Sequence, residues 1–148
     1  MIKSAFPRRG SPCSSSEDNP PCILHVDDDA EFSAALKLRL EAHGVAVVRA
    51  YDGSDGIQQS QTYETDAVLL DVEMPNTNVE EILIAFKQDE LTKQVPVIVL
   101  TGRKDPQLQQ RLEFLGASAY LTKPLRFEEL REQLARYIDI LPKPALGP

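Results

Sequence analysis

The chain has 148 residues with 16 Lys plus Arg against 23 Asp plus Glu, a formal net charge of −7. That length predicts one domain. Its 42% hydrophobic and 26% charged residues, with no apolar run near 18 residues, describe a soluble globular protein and exclude a membrane span.

Residues 1–21 carry Lys3, Arg8 and Arg9 but no apolar stretch of signal-peptide length, so a cytoplasmic protein with no membrane partner is expected. Ser, Pro and Gly supply 10 of these 21 residues, which predicts a disordered N-terminal extension. Cys13 and Cys22 are too few and too close to the start for a disulfide framework or a zinc site, and they read as free thiols. The proline-broken residues 142–148 read as a flexible tail, which leaves 22–141 as the folded unit. Removing the charged residues of both ends (Lys3, Arg8, Arg9, Lys143; Glu17, Asp18) leaves 12 basic and 21 acidic residues, a net of −9. Acidity therefore belongs to the domain, and direct nucleic-acid binding, which rests on clustered cations, is not expected.

In chain order, short apolar runs at Ile23 to Val26, Ala46 to Ala50, Ala67 to Leu70, Val97 to Leu100 and Ala117 to Leu121 predict five strands. Segments of helical period lie between them. The best are Phe32, Ala35, Leu36, Leu40 and Phe127, Leu130, Leu134, Tyr137, Ile138, Leu141, each a stripe that would face a sheet. Strands alternating with helices imply right-handed crossovers and a parallel sheet covered on both faces, so this is a doubly wound α/β domain with five strands and five helices. Function in such sheets is found outside the carboxyl ends of the strands. There the sequence places Asp27-Asp28-Asp29, Asp71-Val72-Glu73, Thr101-Gly102 and Thr122-Lys123-Pro124.

Three carboxylates at one sheet edge repel one another, and a hard cation such as Mg2+ relieves that repulsion while leaving positions open for a phosphate. Lys123 would meet remaining negative charge and Thr101 would donate to a phosphoryl oxygen. Singly, each residue has a structural use: Asp28 or Asp29 as a helix cap, Asp71 in a turn before Pro75, Thr101 as the next cap, Lys123 solvated. Together at successive strand ends they exceed what capping explains.

The segments Ile23-Leu-His-Val-Asp-Asp-Asp29, Asp66-Ala-Val-Leu-Leu-Asp-Val-Glu-Met-Pro75, Val97-Ile-Val-Leu-Thr-Gly102 and Ala119-Tyr-Leu-Thr-Lys-Pro124 resemble the receiver domain of two-component response regulators. The separations of Asp71 from Thr101 (30 residues) and from Lys123 (52 residues) match that pattern. The resemblance implies a flavodoxin-like strand order 2-1-3-4-5 and Asp71 as phosphoacceptor, taking its phosphoryl group from a histidine kinase, a phosphotransfer protein or a small donor such as acetyl phosphate. It implies Mg2+ held by Asp27, Asp28, Asp71 and the Glu73 backbone carbonyl, Lys123 on the phosphoryl oxygens, and a switch made of Thr101 and Tyr120. Gly102 and Pro124 would serve as positioning residues, with a cis Lys123-Pro124 bond aiming the lysine. Output would leave through protein contacts of the fourth helix, fifth strand and fifth helix, roughly residues 105 to 140, a surface that also offers a route to a homodimer. The chain would then be a stand-alone module that acts on no substrate beyond its own phosphorylation and dephosphorylation.

Two departures stand out. Asn76-Thr-Asn-Val79 replaces the small-residue turn ending in Asp-Gly that the family commonly carries, and Val79 does not tolerate left-handed geometry, so a loop of different shape is expected. Glu73 and Arg103 stand at positions that in this family flank the phosphoryl group; they would form either an ion pair across the site mouth that slows hydrolysis or two independently solvated side chains. His25 reads as a structural strand residue and His43 as a helix C-terminal cap. Two alternatives remain: a receiver-like scaffold that works unphosphorylated, and an Mg2+-dependent aspartate-nucleophile phosphatase. The latter is opposed by Glu73 and Pro75, which stand where such enzymes carry Asp and Thr.

Overall fold

A computed structural model describes residues 19–144. The expected N-terminal extension and C-terminal tail lie largely outside the described residues, as does Cys13. Five strands, β1 (Cys22–Val26), β2 (Ala46–Ala50), β3 (Ala67–Asp71), β4 (Val97–Thr101) and β5 (Ala119–Thr122), alternate with α1 (Ala30–Ala42), α2 (Gly53–Thr62), α3 (Val79–Gln88), α4 (Pro106–Phe114) and α5 (Phe127–Ala135). The strands form one parallel sheet in the order 2-1-3-4-5, the expected doubly wound fold. No helix among the described residues is long and apolar enough to cross a membrane.

Strand period two divides the core. Leu24, Val26, Val68, Leu70, Val97 and Val99 face one side, packed with Leu83 and Phe86 of α3. Ile23, Leu69, Ile98 and Leu100 face the other, packed with Leu36 and Leu40 of α1 and Leu130 and Leu134 of α5. Most of these side chains are fully buried, and each contributes roughly 1.5–3 kcal/mol of transfer free energy. The central strands β3 and β4 are covered on both faces, which is why they read as continuous apolar runs.

Four expectations change. β5 starts at Ala119 rather than Ala117, because the Ala117 N–H is used by the Leu112 carbonyl to close the end of α4. Ala35 lies on the exposed side of α1. α5 stops at Ala135, and the stripe continues without helix: Ile138 is buried, Tyr137 is exposed, and the Leu141 N–H donates to the His43 carbonyl beside Gly44. Val79 is not in the loop after β3 but is the first, buried residue of α3. Asn78 caps it by accepting from the N–H groups of Glu80 and Glu81, and the left-handed conformation falls on Asn76 (φ 60°), a residue type that adopts it readily.

His43 ends α1 as expected, its Nδ1 2.9 Å from the Arg39 carbonyl, with Gly44 at φ +83°. Cys22 is a free, buried thiol; burial first, and then the Asp66 charge, push its pKa up to about 12. Such a thiol is an inert core residue.

Candidate functional site

The loops that leave β1, β3, β4 and β5 bring the predicted polar residues to one end of the sheet. Asp29, not Asp28, caps α1 by accepting from the Phe32 N–H, and Asp105, not Thr101, caps α4. Asp27, Asp28 and Asp71 each offer a carboxylate oxygen within 4.8 Å of the others; Asp27 and Asp71 are buried and Asp28 is exposed. Lys123 crosses from the end of β5, its Nζ 3.3 Å from Asp27 Oδ2 and 3.5 Å from Asp71 Oδ1. Its ammonium also lies 4.4 Å above the Phe32 ring. The Lys123-Pro124 bond is cis.

The two buried carboxylates are poised differently. Burial works to raise the pKa of Asp27, but contacts from His25, the Asp29 N–H and the Lys123 charge outweigh it and hold the group below the usual carboxylate range. For Asp71, burial and then the Asp27 charge push its carboxyl above the usual range, against the opposing pull of Lys123 and the Glu73 N–H. Asp71 thus sits in a field that resists its ionisation, and added positive charge would relieve it.

These are hard oxygen donors with excess negative charge in partial burial, a set suited to Mg2+ and unsuited to soft metals. Asp27, Asp28 and Asp71 fit such an ion by proximity. Lys123 supplies one positive charge against three carboxylates, so the cluster retains negative charge for a divalent cation to balance.

Thr101 is buried at the end of β4. Its hydroxyl lies 3.3 Å from Glu73 Oε1 and 3.3 Å from the Arg103 carbonyl, and it accepts from the Arg103 N–H at 3.2 Å. Tyr120, half-buried on β5, donates its hydroxyl to the same Arg103 carbonyl at 3.4 Å. Glu73 Oε1 accepts from the Gly102 N–H at 2.8 Å, whereas Arg103 Nε is 3.9 Å away on a side chain that is 85% exposed. The expected Glu73–Arg103 pair is therefore loose, and the main partners of Glu73 are the end of β4.

His25, expected as a structural strand residue, is fully buried, with its Nε2 3.4 Å from Asp27 Oδ2 and neither ring nitrogen making an aligned hydrogen bond. Its ring packs edge-on against Phe32. Spacing of two along a strand puts residues on one face, and that was the signal available for linking His25 to Asp27.

Comparison with known proteins is consistent with this geometry. The sequence profile of the response regulator receiver domain matches residues 23–135. The transcriptional regulatory protein CpxR of Escherichia coli is 42% identical over 109 residues, spanning 73% of this chain and 45% of CpxR. Protein PilH of Pseudomonas aeruginosa is 34% identical over 108 residues, spanning 73% of this chain and 89% of PilH. A hybrid signal transduction histidine kinase of Dictyostelium discoideum is 30% identical over 123 residues, of which the chain spans 8%. Among solved structures, the Vibrio cholerae chemotaxis protein CheY4 superposes with a TM-score of 0.76 at 28% identity, covering 80% of this chain and 99% of that one. The chain spans about half or less of the length of several curated relatives it matches.

Proposed function

The chain belongs to the response regulator receiver domain family, and we propose that it signals by accepting a phosphoryl group on Asp71 from a sensor histidine kinase or a phosphotransfer protein. The observation that carries this reading is the position of Asp71. It is a buried carboxylate at the end of a central strand, raised above its ordinary pKa, clustered with two more carboxylates and touched by one lysine.

In the proposed step, an ionised oxygen of Asp71 attacks phosphorus and forms an acyl phosphate. The bond from phosphorus to the donor imidazole nitrogen breaks, and its electron pair stays with that imidazole. Such a transfer depends on positioning and charge neutralisation. Asp27, Asp28, Asp71 and the Glu73 carbonyl would hold Mg2+, which when bound supplies charge neutralisation for the incoming phosphoryl oxygens. Lys123 pairs with a phosphoryl oxygen, Thr101 turns its hydroxyl toward another, and Tyr120 follows inward through the carbonyl they share. Pro124 and Gly102 keep Lys123 and the end of β4 in place.

Phosphorylation then biases the surface of α4, β5 and α5, which engages a protein partner or a second copy of the chain. We place the domain in the cytoplasm without direct nucleic-acid contact, and assign it no substrate other than its own acyl phosphate. Beryllofluoride with Mg2+ tests the reading. Amide resonances at the ends of β1, β3, β4 and β5, and along α4 to α5, should shift in the native protein and stay fixed in Asp71→Asn. Unchanged native resonances, or equal shifts in both proteins, would refute it.

A further inference from the structure

Glu73 stands apart from the three clustered aspartates. Its carboxylate turns to the end of β4, where Oε1 takes the Gly102 N–H at 2.8 Å and lies 3.3 Å from the Thr101 hydroxyl. It rests directly on Gly102: a Cβ added there would stand 2.9 Å from Oε2 and 3.0 Å from Oε1. A backbone N–H and a hydroxyl converging on one anionic oxygen form the kind of donor pair a phosphoryl oxygen also requires.

We propose that the Glu73 carboxylate is an internal occupant of the place where Thr101 and Gly102 would receive a phosphoryl oxygen, so that phosphorylation must displace it and its displacement frees Thr101. The proposal rests on the reading of Asp71 as phosphoacceptor and names the group that competes with the product. A carboxylate and a phosphoryl oxygen cannot share these donors, because each carries negative charge and the Thr101 hydroxyl has one proton to give. That proton already stands between two acceptors, Glu73 Oε1 and the Arg103 carbonyl, at equal distances of 3.3 Å. The Arg103 carbonyl also receives the Tyr120 hydroxyl. Removing Glu73 from one end of this chain therefore alters the hydrogen bonding of both switch residues. Glu73 has a route out: its side chain is 40% exposed, and the solvent-exposed Arg103 guanidinium beside it can receive the displaced carboxylate. Glu73 acts here as a positioning residue, since it works through Thr101 and Gly102.

The test uses the full chain with Glu73→Ala and Glu73→Gln. In the free protein, amide hydrogen exchange at Gly102 should quicken about tenfold in Glu73→Ala, the loss expected for a hydrogen bond to a charged acceptor. With Mg2+ present, Glu73→Ala should bind beryllofluoride several-fold more tightly and label faster with acetyl phosphate. Glu73→Gln, which keeps an acceptor oxygen but no charge, should fall between native and Ala in both measurements. Unchanged exchange at Gly102, or unchanged or weaker beryllofluoride binding by Glu73→Ala, overturns the proposal. So does Glu73→Gln behaving as Ala throughout, because charge repulsion alone would then account for the effect. Failure of the native protein and both variants to bind beryllofluoride would instead sink the Asp71 reading, and this proposal with it.

Discussion

Lys123→Met removes the cation that, among the described residues, touches both buried carboxylates, while keeping most of the side-chain volume. Its Nζ lies 3.3 Å from Asp27 and 3.5 Å from Asp71, and the side chain is 25% exposed. A direct Coulomb sum at these distances gives about 5 kcal/mol for each contact at an effective dielectric of 20. The net value is smaller, since a hydrogen bond to a charged group contributes roughly 1.5–3 kcal/mol after water is exchanged. We expect Lys123→Met to lower unfolding free energy by about 3 kcal/mol at neutral pH. In the Asp71→Asn background one of the two contacts has already lost its charge, so the same substitution should lower it about 1.5 kcal/mol less. The deficit should also shrink in acid. The ammonium stabilises ionised carboxylates, a contribution present above their unfolded pKa values and lost as both groups protonate. Urea unfolding of the four proteins of this cycle, at neutral pH and below the ordinary carboxylate range, measures both effects. A coupling under about 0.3 kcal/mol, or a deficit that does not vary with pH, would refute the electrostatic argument.

Four further outcomes follow. Asp71→Asn should raise stability at neutral pH: the folded state raises the pKa of Asp71, so its ionised form opposes folding above that pKa, and the gain should vanish as pH falls through it. Thermal unfolding across pH measures this. Mg2+ at one hundred times its dissociation constant should stabilise the native protein by roughly 2.7 kcal/mol, read as a higher melting temperature that chelator reverses, with little effect in Asp28→Asn. Gly56→Ala places a Cβ 2.8 Å from Val26 Cγ2, where α2 meets β1, and should destabilise by roughly 1–3 kcal/mol, with Val26→Ala relieving part of that in the double variant. Leu134→Ala, fully buried between α5 and the sheet, should lower stability by about 2–5 kcal/mol in chemical denaturation.

The sheet was legible because its central strands are buried on two faces: Val68-Leu-Leu70 and Val97-Ile-Val-Leu100 leave little room for another reading. The site was legible because acidic and cationic residues interrupt those apolar runs at the strand ends. Element ends were harder to read. Ile138 and Leu141 continue the apolar spacing of α5, but beyond Ala135 the backbone is irregular, so that Ile138 is buried while Leu141 is left exposed, an outcome spacing alone cannot distinguish from a helical stripe. Val79 opens α3 because Asn78, a residue type that suits a turn and a helix cap equally in sequence, serves as the cap. The partners of Glu73 were hidden for a different reason. Sequence suggested a charged side chain, Arg103, whereas the shortest contact is to the backbone N–H of Gly102, a donor that every non-proline residue carries.

The central claim is that Asp71 takes the phosphoryl group, and covalent labelling with site mapping tests it most directly. The native protein, incubated with acetyl phosphate and Mg2+, should gain one phosphoryl unit that maps to the peptide containing Asp71 and is lost on treatment with hydroxylamine, as an acyl phosphate is. Asp71→Asn should gain none. Equal labelling of Asp71→Asn, or a native protein that stays unlabelled under these conditions, would contradict the account.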